Sequence, residues 1–337
     1  MKIIVAILVF SFLMLIHELG HFLMAKKLGI RAYELSIGMG PKLFGKTVKD
    51  TQYNIRLIPF GAFVRFGDDE DEMFTEPDNF MNKSPLDRIK VIIMGPLVNI
   101  IAALLLMIGV AYHAGFPTNT IAAVSEGLPA AKAGIEAGDQ VIEVNGKKTT
   151  EWTHIVAELS VVPEDKKVHL LVQKADGDQM DLEMLMEEHE GRFMVGISPK
   201  FEKDLFRAIK YGSIATARQS TMMVDTLKQL FIGRANIEEF SGPVGIVAVV
   251  GEATKAGFET VIILTALLSL NLGIINLVPI PGLDGSKILF YIYELLSKKQ
   301  LNRELEMRLT MAGFFLIIAF SIFITYKDIV RLFFSKG

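Results

Sequence analysis

Apolar residues in this chain gather into long runs separated by polar stretches, and the spacing of those runs sets the expected architecture. The run from Ile3 to about Ala25 can cross the roughly 30 Å hydrocarbon core of a bilayer as a tilted helix. A second run extends from Val91 to about Phe116, a third from Thr260 to Val278 and a fourth from Met311 to Tyr326. Gly95-Pro96 is read as the opening of the second, and Asn99 within it is expected to hydrogen-bond a neighbouring helix or reach the site. From Pro117 to about Lys200 the pattern changes to short alternating segments. Gln140–Val144, Val168–Lys174, Met180–Met186 and Arg192–Ser198 read as strands, and Trp152–Leu159 reads as a helix. Phe201 to Phe231 repeats its polar residues on one helical face and is expected at the membrane interface. Ser241-Gly242-Pro243-Val244-Gly245 reads as a turn. Tyr53–Ile58 and Ala62–Phe66 read as two short strands around Pro59-Phe60-Gly61, a hairpin either at the membrane surface or in the cytoplasm. Asp68–Glu72 reads as a solvated loop, and Met73–Asn82 as an amphipathic interfacial segment.

The expected fold is a multipass α-helical membrane protein with about four transmembrane helices, a membrane-associated β-hairpin and an inserted β-rich domain. Residues 1–116 and 201–337 would form the two halves of a membrane core, and 117–200 the insert. Composition agrees: 51% of the 337 residues are hydrophobic, and the mean hydropathy of +0.39 exceeds what a soluble domain needs. A net charge of −3 gives no reason to expect nucleic-acid binding. The absence of cysteine removes disulfides and thiolate chemistry, so a zinc ion would have to be held by histidine and carboxylate. Lys26, Lys27 and Arg31 follow the first run while only Lys2 precedes it, which places the N-terminus outside. The run ends in His, Glu and Lys without a small-residue cleavage pattern, so it is read as a retained span rather than a signal peptide.

The chemistry concentrates in His17-Glu18-Leu19-Gly20-His21, inside the first run. Histidines at i and i+4 lie on one helical face and can converge on one metal ion. Glu18 is placed to take a proton from a water on that ion. Ionisable groups at membrane depth cost about 2.5–3.5 kcal/mol each, so they are seldom there without a function. The alternative is a polar cluster that joins helices by hydrogen bonds. If the first span runs inward, the third does too, and Asp284 then lies in the same half of the membrane as His21. Pro279, Pro281, Gly282 and Gly285 break the backbone around it, as is tolerated where chain lines a cavity. Asp284 would complete a two-histidine, one-carboxylate zinc site; its alternative role is to cap the helix that follows.

Together these segments resemble the site-2 protease family of intramembrane zinc metalloproteases, in particular bacterial members that act in regulated intramembrane proteolysis. The resemblance rests on His17–His21, on Gly95-Pro96-Leu97-Val98-Asn99, on Ser241–Gly245 and on Asn276-Leu277-Val278-Pro279-Ile280-Pro281-Gly282-Leu283-Asp284-Gly285. Ser125–Ile135 followed by Gly138–Gly146 is similar to bacterial PDZ domains, one unit where some relatives have two. Ser286 and Ala62 stand where the family often has glycine. The resemblance implies His17, His21 and Asp284 as ligands of one Zn2+ and Glu18 as general base. It also implies that Asn276 holds substrate backbone and that the hairpin around Gly61 guides an unwound substrate. The implied substrate is a transmembrane segment of a single-span protein, such as an anti-sigma factor or a remnant signal peptide. A peptide or C-terminus would be the partner of the PDZ domain. The implied location is a bacterial inner membrane, with the N-terminus and PDZ domain extracytoplasmic and the active site towards the cytoplasm. A catalytically inactive PDZ-bearing scaffold is the alternative; a proton-relaying transporter would need repeats and a second charged span, and neither is present.

Overall fold

The computed structural model describes residues 2–66, 77–189, 192–234, 241–299 and 301–334. The acidic run Asp68–Glu72 and the first residues of Met73–Asn82 lie outside them. The chain begins with α1 (Lys2–Lys27), β1 (Glu34–Val48), β2 (Thr51–Arg65), α2 (Pro85–Ala114) and β3 (Phe116–Val124). It continues through α3 (Pro129–Lys132), β4 (Gln140–Val144), β5 (Lys147–Lys148), α4 (Trp152–Leu159), β6 (Lys167–Gln173), β7 (Gln179–Leu185), β8 (Glu187–His189), β9 (Arg192–Met194) and β10 (Ile197–Glu202). Five helices close it: α5 (Leu205–Phe231), α6 (Pro243–Ala256), α7 (Phe258–Asn276), α8 (Asp284–Ser297) and α9 (Arg303–Phe334). Among the described residues four helices are long and apolar enough to cross a membrane: α1, α2, α7 and most of α9. The chain divides into two compact units, Met1–Val110 with Gly212–Gly337, and Ala111–Tyr211, so the insert begins inside α2 and ends inside α5.

In the first unit the buried face of α1 is Ala6, Val9, Leu13, His17, Gly20 and His21, a stripe at helical spacing. The buried face of α2 is Arg88, Val91, Ile92, Gly95, Pro96, Asn99 and Ala103. The two stripes meet where a side chain on Gly20 would strike the carbonyl of Met94 and lie 3.0 Å from Gly95 Cα. Small residues at such a crossing let two membrane helices approach backbone to backbone. Pro96 lies in the interior of α2, not at its start. Lacking an N–H, it leaves the Ile92 carbonyl without its helical partner, a defect that a packed membrane helix can absorb.

The expected hairpin is rearranged. Tyr53–Ile58 and Ala62–Arg65 both form strand structure and Gly61 turns between them with φ +89°, but they do not pair with each other. The first half of β1 lies between them: Ile37 pairs with both Ile55 and Ala62, and Glu34 with both Gln52 and Arg65. Beyond Gly38 and Gly40 the second half of β1 folds back, so that Lys42–Val48 pairs with Thr51–Arg56. The turn of this sheet packs along α1. Pro59 accepts a hydrogen bond of 2.9 Å from Ser11 Oγ, and Phe60 packs on Phe10 with ring centroids 6.0 Å apart. Ser11 stands about 24 Å from the Lys27 end of α1 at 1.5 Å per residue, so the turn runs alongside the middle of the span. At its centre Glu34 is buried and receives Ser36 Oγ, Asn54 Nδ2 and Arg56 Nη2 at 2.5, 2.7 and 2.5 Å.

Ser241–Gly245 is the start of a helix rather than a free turn: Pro243 opens α6, and Asp328 of α9 accepts the Gly245 N–H at 2.7 Å. Side chains on Gly242 or Gly245 would lie within 3.0 Å of that carboxylate, which explains both glycines.

The second unit is built on an antiparallel sheet in the order β10-β3-β4-β6-β7, with β5 on β4 and a separate β8-β9 pair. Its core is Ile121, Val141, Val144, Ile155, Val168, Leu170, Val172 and Val195 with neighbouring Ala, Ile and Met side chains. Trp152–Leu159 forms α4 as expected. The expected strand Arg192–Ser198 is split: Gly196 at φ +88° separates β9, paired with β8, from β10, paired with β3. Phe201 belongs to β10, so the amphipathic helix starts at Leu205.

Candidate metal centre

Two elements far apart in sequence meet here. Helix α1 delivers His17 and His21 one turn apart, both less than a tenth exposed. The chain leaves α7 at Asn276, passes Pro279 and Pro281, and re-enters helix at Asp284, the first residue of α8. Asp284 therefore does not cap the helix from outside; its carboxylate turns to the histidines. Asp284 Oδ2 is 3.0 Å from His17 Nε2 and 3.4 Å from His21 Nε2, and the two nitrogens are 3.2 Å apart. Ligands at tetrahedral angles, 2.0–2.1 Å from a zinc ion, stand about 3.3 Å from each other. The three atoms thus have the spacing of one face of a zinc tetrahedron, and the donor set of two imidazoles and a carboxylate suits that ion.

Around this triangle the packing is tight. Any side chain on Gly95 would collide with the His21 ring and lie 2.9 Å from His17 Nε2. His21 Nδ1 is 2.9 Å from the Val91 carbonyl, so it donates there and leaves Nε2 free as a ligand. Glu18 Oε2 accepts the Val64 N–H at 3.0 Å, which fixes the carboxylate beside the histidines. Among the described residues Ala62–Arg65 pairs only with β1, so the edge that carries this N–H faces the site.

The other candidates differ in their surroundings. Gly61 is buried in the turn against α1, where a side chain would lie 3.5 Å from Met14 Cε, one turn before Glu18. Asn276 is the half-buried last residue of α7, with no side-chain hydrogen bond among the described residues. Asn99 lies within the site, its Nδ2 3.4 Å from His17 Nδ1. Val91 and Val64 were not foreseeable as site residues, because each acts through its main chain and leaves no side-chain signal.

The sequence profile of Peptidase family M50 matches residues 5–320. Proteins provisionally named as zinc metalloproteases from Clostridium acetobutylicum and Clostridium perfringens are 34% and 35% identical, over 331 and 334 residues. The matches cover 98% of this chain in both cases, and 97% and 99% of the relatives. A similarly named protein of Fusobacterium nucleatum is 32% identical over 99% of this chain and all of its own length.

Proposed function

The chain belongs to peptidase family M50, the site-2 protease family, and is a zinc-dependent metalloprotease of membranes; on that premise we propose that it is an endopeptidase cutting within the transmembrane segments of single-span proteins. The observation that carries the proposal is the His17–His21–Asp284 triangle with Glu18 beside it, its histidines and Glu18 on α1, a helix long and apolar enough to cross a membrane, and its carboxylate at the start of α8. Bound by these three side chains, zinc supplies the Lewis acid for activating water and polarising a peptide carbonyl. Glu18 accepts the proton of the attacking water and passes it to the leaving amine nitrogen. A transmembrane helix hides its carbonyls in its own hydrogen bonds, so a short stretch has to unwind first. The edge of Ala62–Arg65 offers backbone partners beside Glu18, and a substrate strand added there would recover part of the lost bonding. Gly61 keeps the turn at the head of that edge slim, and Asn276, the last residue of α7, binds substrate backbone.

Residues 117–200 act as a PDZ domain that takes a peptide or C-terminus. The chain resides in a bacterial inner membrane, with that domain outside and the metal centre nearer the cytoplasm, in the manner of regulated intramembrane proteolysis of anti-sigma factors or remnant signal peptides. The test is reconstitution in liposomes with a single-span reporter and mass-spectrometric mapping of the cuts. Glu18→Gln should retain zinc and lose at least ~10²-fold in cleavage rate. Undiminished cleavage by that variant, or cuts confined to regions outside the reporter's membrane segment, would sink the proposal.

A further inference from the structure

We infer that Asn99 is a positioning residue: its side-chain oxygen holds the Nδ1 proton of His17 and so aims Nε2 at the metal, as the Val91 carbonyl does for His21. The inference rests on the reading of His17, His21 and Asp284 as the zinc ligands. A ligating imidazole offers the lone pair of one nitrogen and must carry its proton on the other, and a buried proton of that kind needs an acceptor. His21 has one in Val91. For His17 the neighbour of Nδ1 is the Asn99 amide, at 3.4 Å. The nitrogen end of that amide faces the ring, where two N–H groups would oppose each other. The oxygen end, Oδ1, is buried without a hydrogen-bond partner among the described residues. The two ends of an amide have the same shape, and a half-turn exchanges them. That one rotation gives the His17 proton an acceptor and the orphaned oxygen a donor.

Two further observations fit this role. Asn99 is fully buried, and its own main-chain carbonyl accepts Ser269 Oγ at 2.8 Å, which anchors α2 against α7 at this level. Val91, Gly95 and Asn99 stand four apart on the buried face of α2, so one helical stripe orients the first imidazole, clears room for both rings and orients the second. An amide in a membrane helix is costly to bury without a partner, and within that stripe the His17 ring is the group it faces.

The test is metal binding by the purified full chain in detergent, measured by competition with a chromogenic chelator and by the visible absorption of the cobalt-substituted protein. Asn99→Leu should bind zinc ~10–100-fold more weakly and alter the cobalt bands, while Asn99→Asp, which restores an acceptor, should stay within about threefold of the parent. Thermal melts of the metal-free proteins report folding, and Asn99→Ala takes the same readouts if the leucine variant does not fold. Parental affinity and cobalt bands in Asn99→Leu or Asn99→Ala would overturn the inference, as would an aspartate variant no better than leucine. His17→Ala is the separate arm: retained zinc in that variant would overturn the ligand assignment itself.

Discussion

Gly95 stands where any side chain would have to occupy the space of two imidazoles, so the smallest substitution there should be read out at the metal. Overpacking of about 1–3 kcal/mol corresponds to ~5–150-fold, and Gly95→Ala is expected to weaken zinc binding by that factor in a chelator competition. A second residue-scale prediction concerns acid. Burial works against the Glu34 carboxylate, but hydrogen bonds from Ser36, Arg56 and Asn54 hold its pKa down to about 2, from an ordinary 4.5. A carboxylate lowered in the folded state stabilises above its ordinary pKa and loses that contribution as pH falls through the folded value. Melting temperatures should therefore fall as pH drops from about 4.5 towards 2, and Glu34→Gln should flatten that limb while costing about 3 kcal/mol at neutral pH. The candidate metal ligands His17 and His21 were legible in sequence because their spacing is itself a geometry, whereas Asp284 required the added constraint that successive spans alternate in direction.

Among elements, β1 escaped notice because Gly38, Gly40, Pro41 and Gly45 erase the alternation by which strands announce themselves. It is a strand only because β2 pairs along it, on both sides over Glu34–Ile37 and on one side over Lys42–Val48, information that lies in the partner and not in the segment. Helix α6 was missed for a related reason: its first turn is completed by a carboxylate from α9, not by a capping residue of its own. Helix α8, which begins with Asp284, is moored by a buried ion pair between Glu294 and Arg88 of α2, with the guanidinium 4.4 Å from the Tyr291 ring centroid. Removing one partner strands a charge, so Arg88→Met alone should lower stability by about 3–5 kcal/mol, and adding Glu294→Leu should recover most of the loss. Unfolding of the single and double variants in detergent checks both signs.

At the scale of the whole molecule, every candidate metal ligand belongs to the unit made of the two chain ends, and the insert contributes none. The ends of the insert are neighbours, since Phe116 pairs with Glu202 across β3 and β10. Replacing residues 117–200 by a short flexible linker should therefore leave one zinc per chain by elemental analysis; loss of the ion would show that the core depends on the insert. The four spans could be read from apolar run length alone, but which of them cooperate could not, because that is decided by contacts between distant segments. His17 and Asp284 are separated by 267 positions. At about 5–20 residues per second of translation, the ribosome needs ~13–53 s after the first ligand to reach the last. Until then the nascent polypeptide holds only two of the three proposed ligands. On the ligand reading proposed above, a hydrolase assembled in this order is inert until residue 284 has been made and packed against α1.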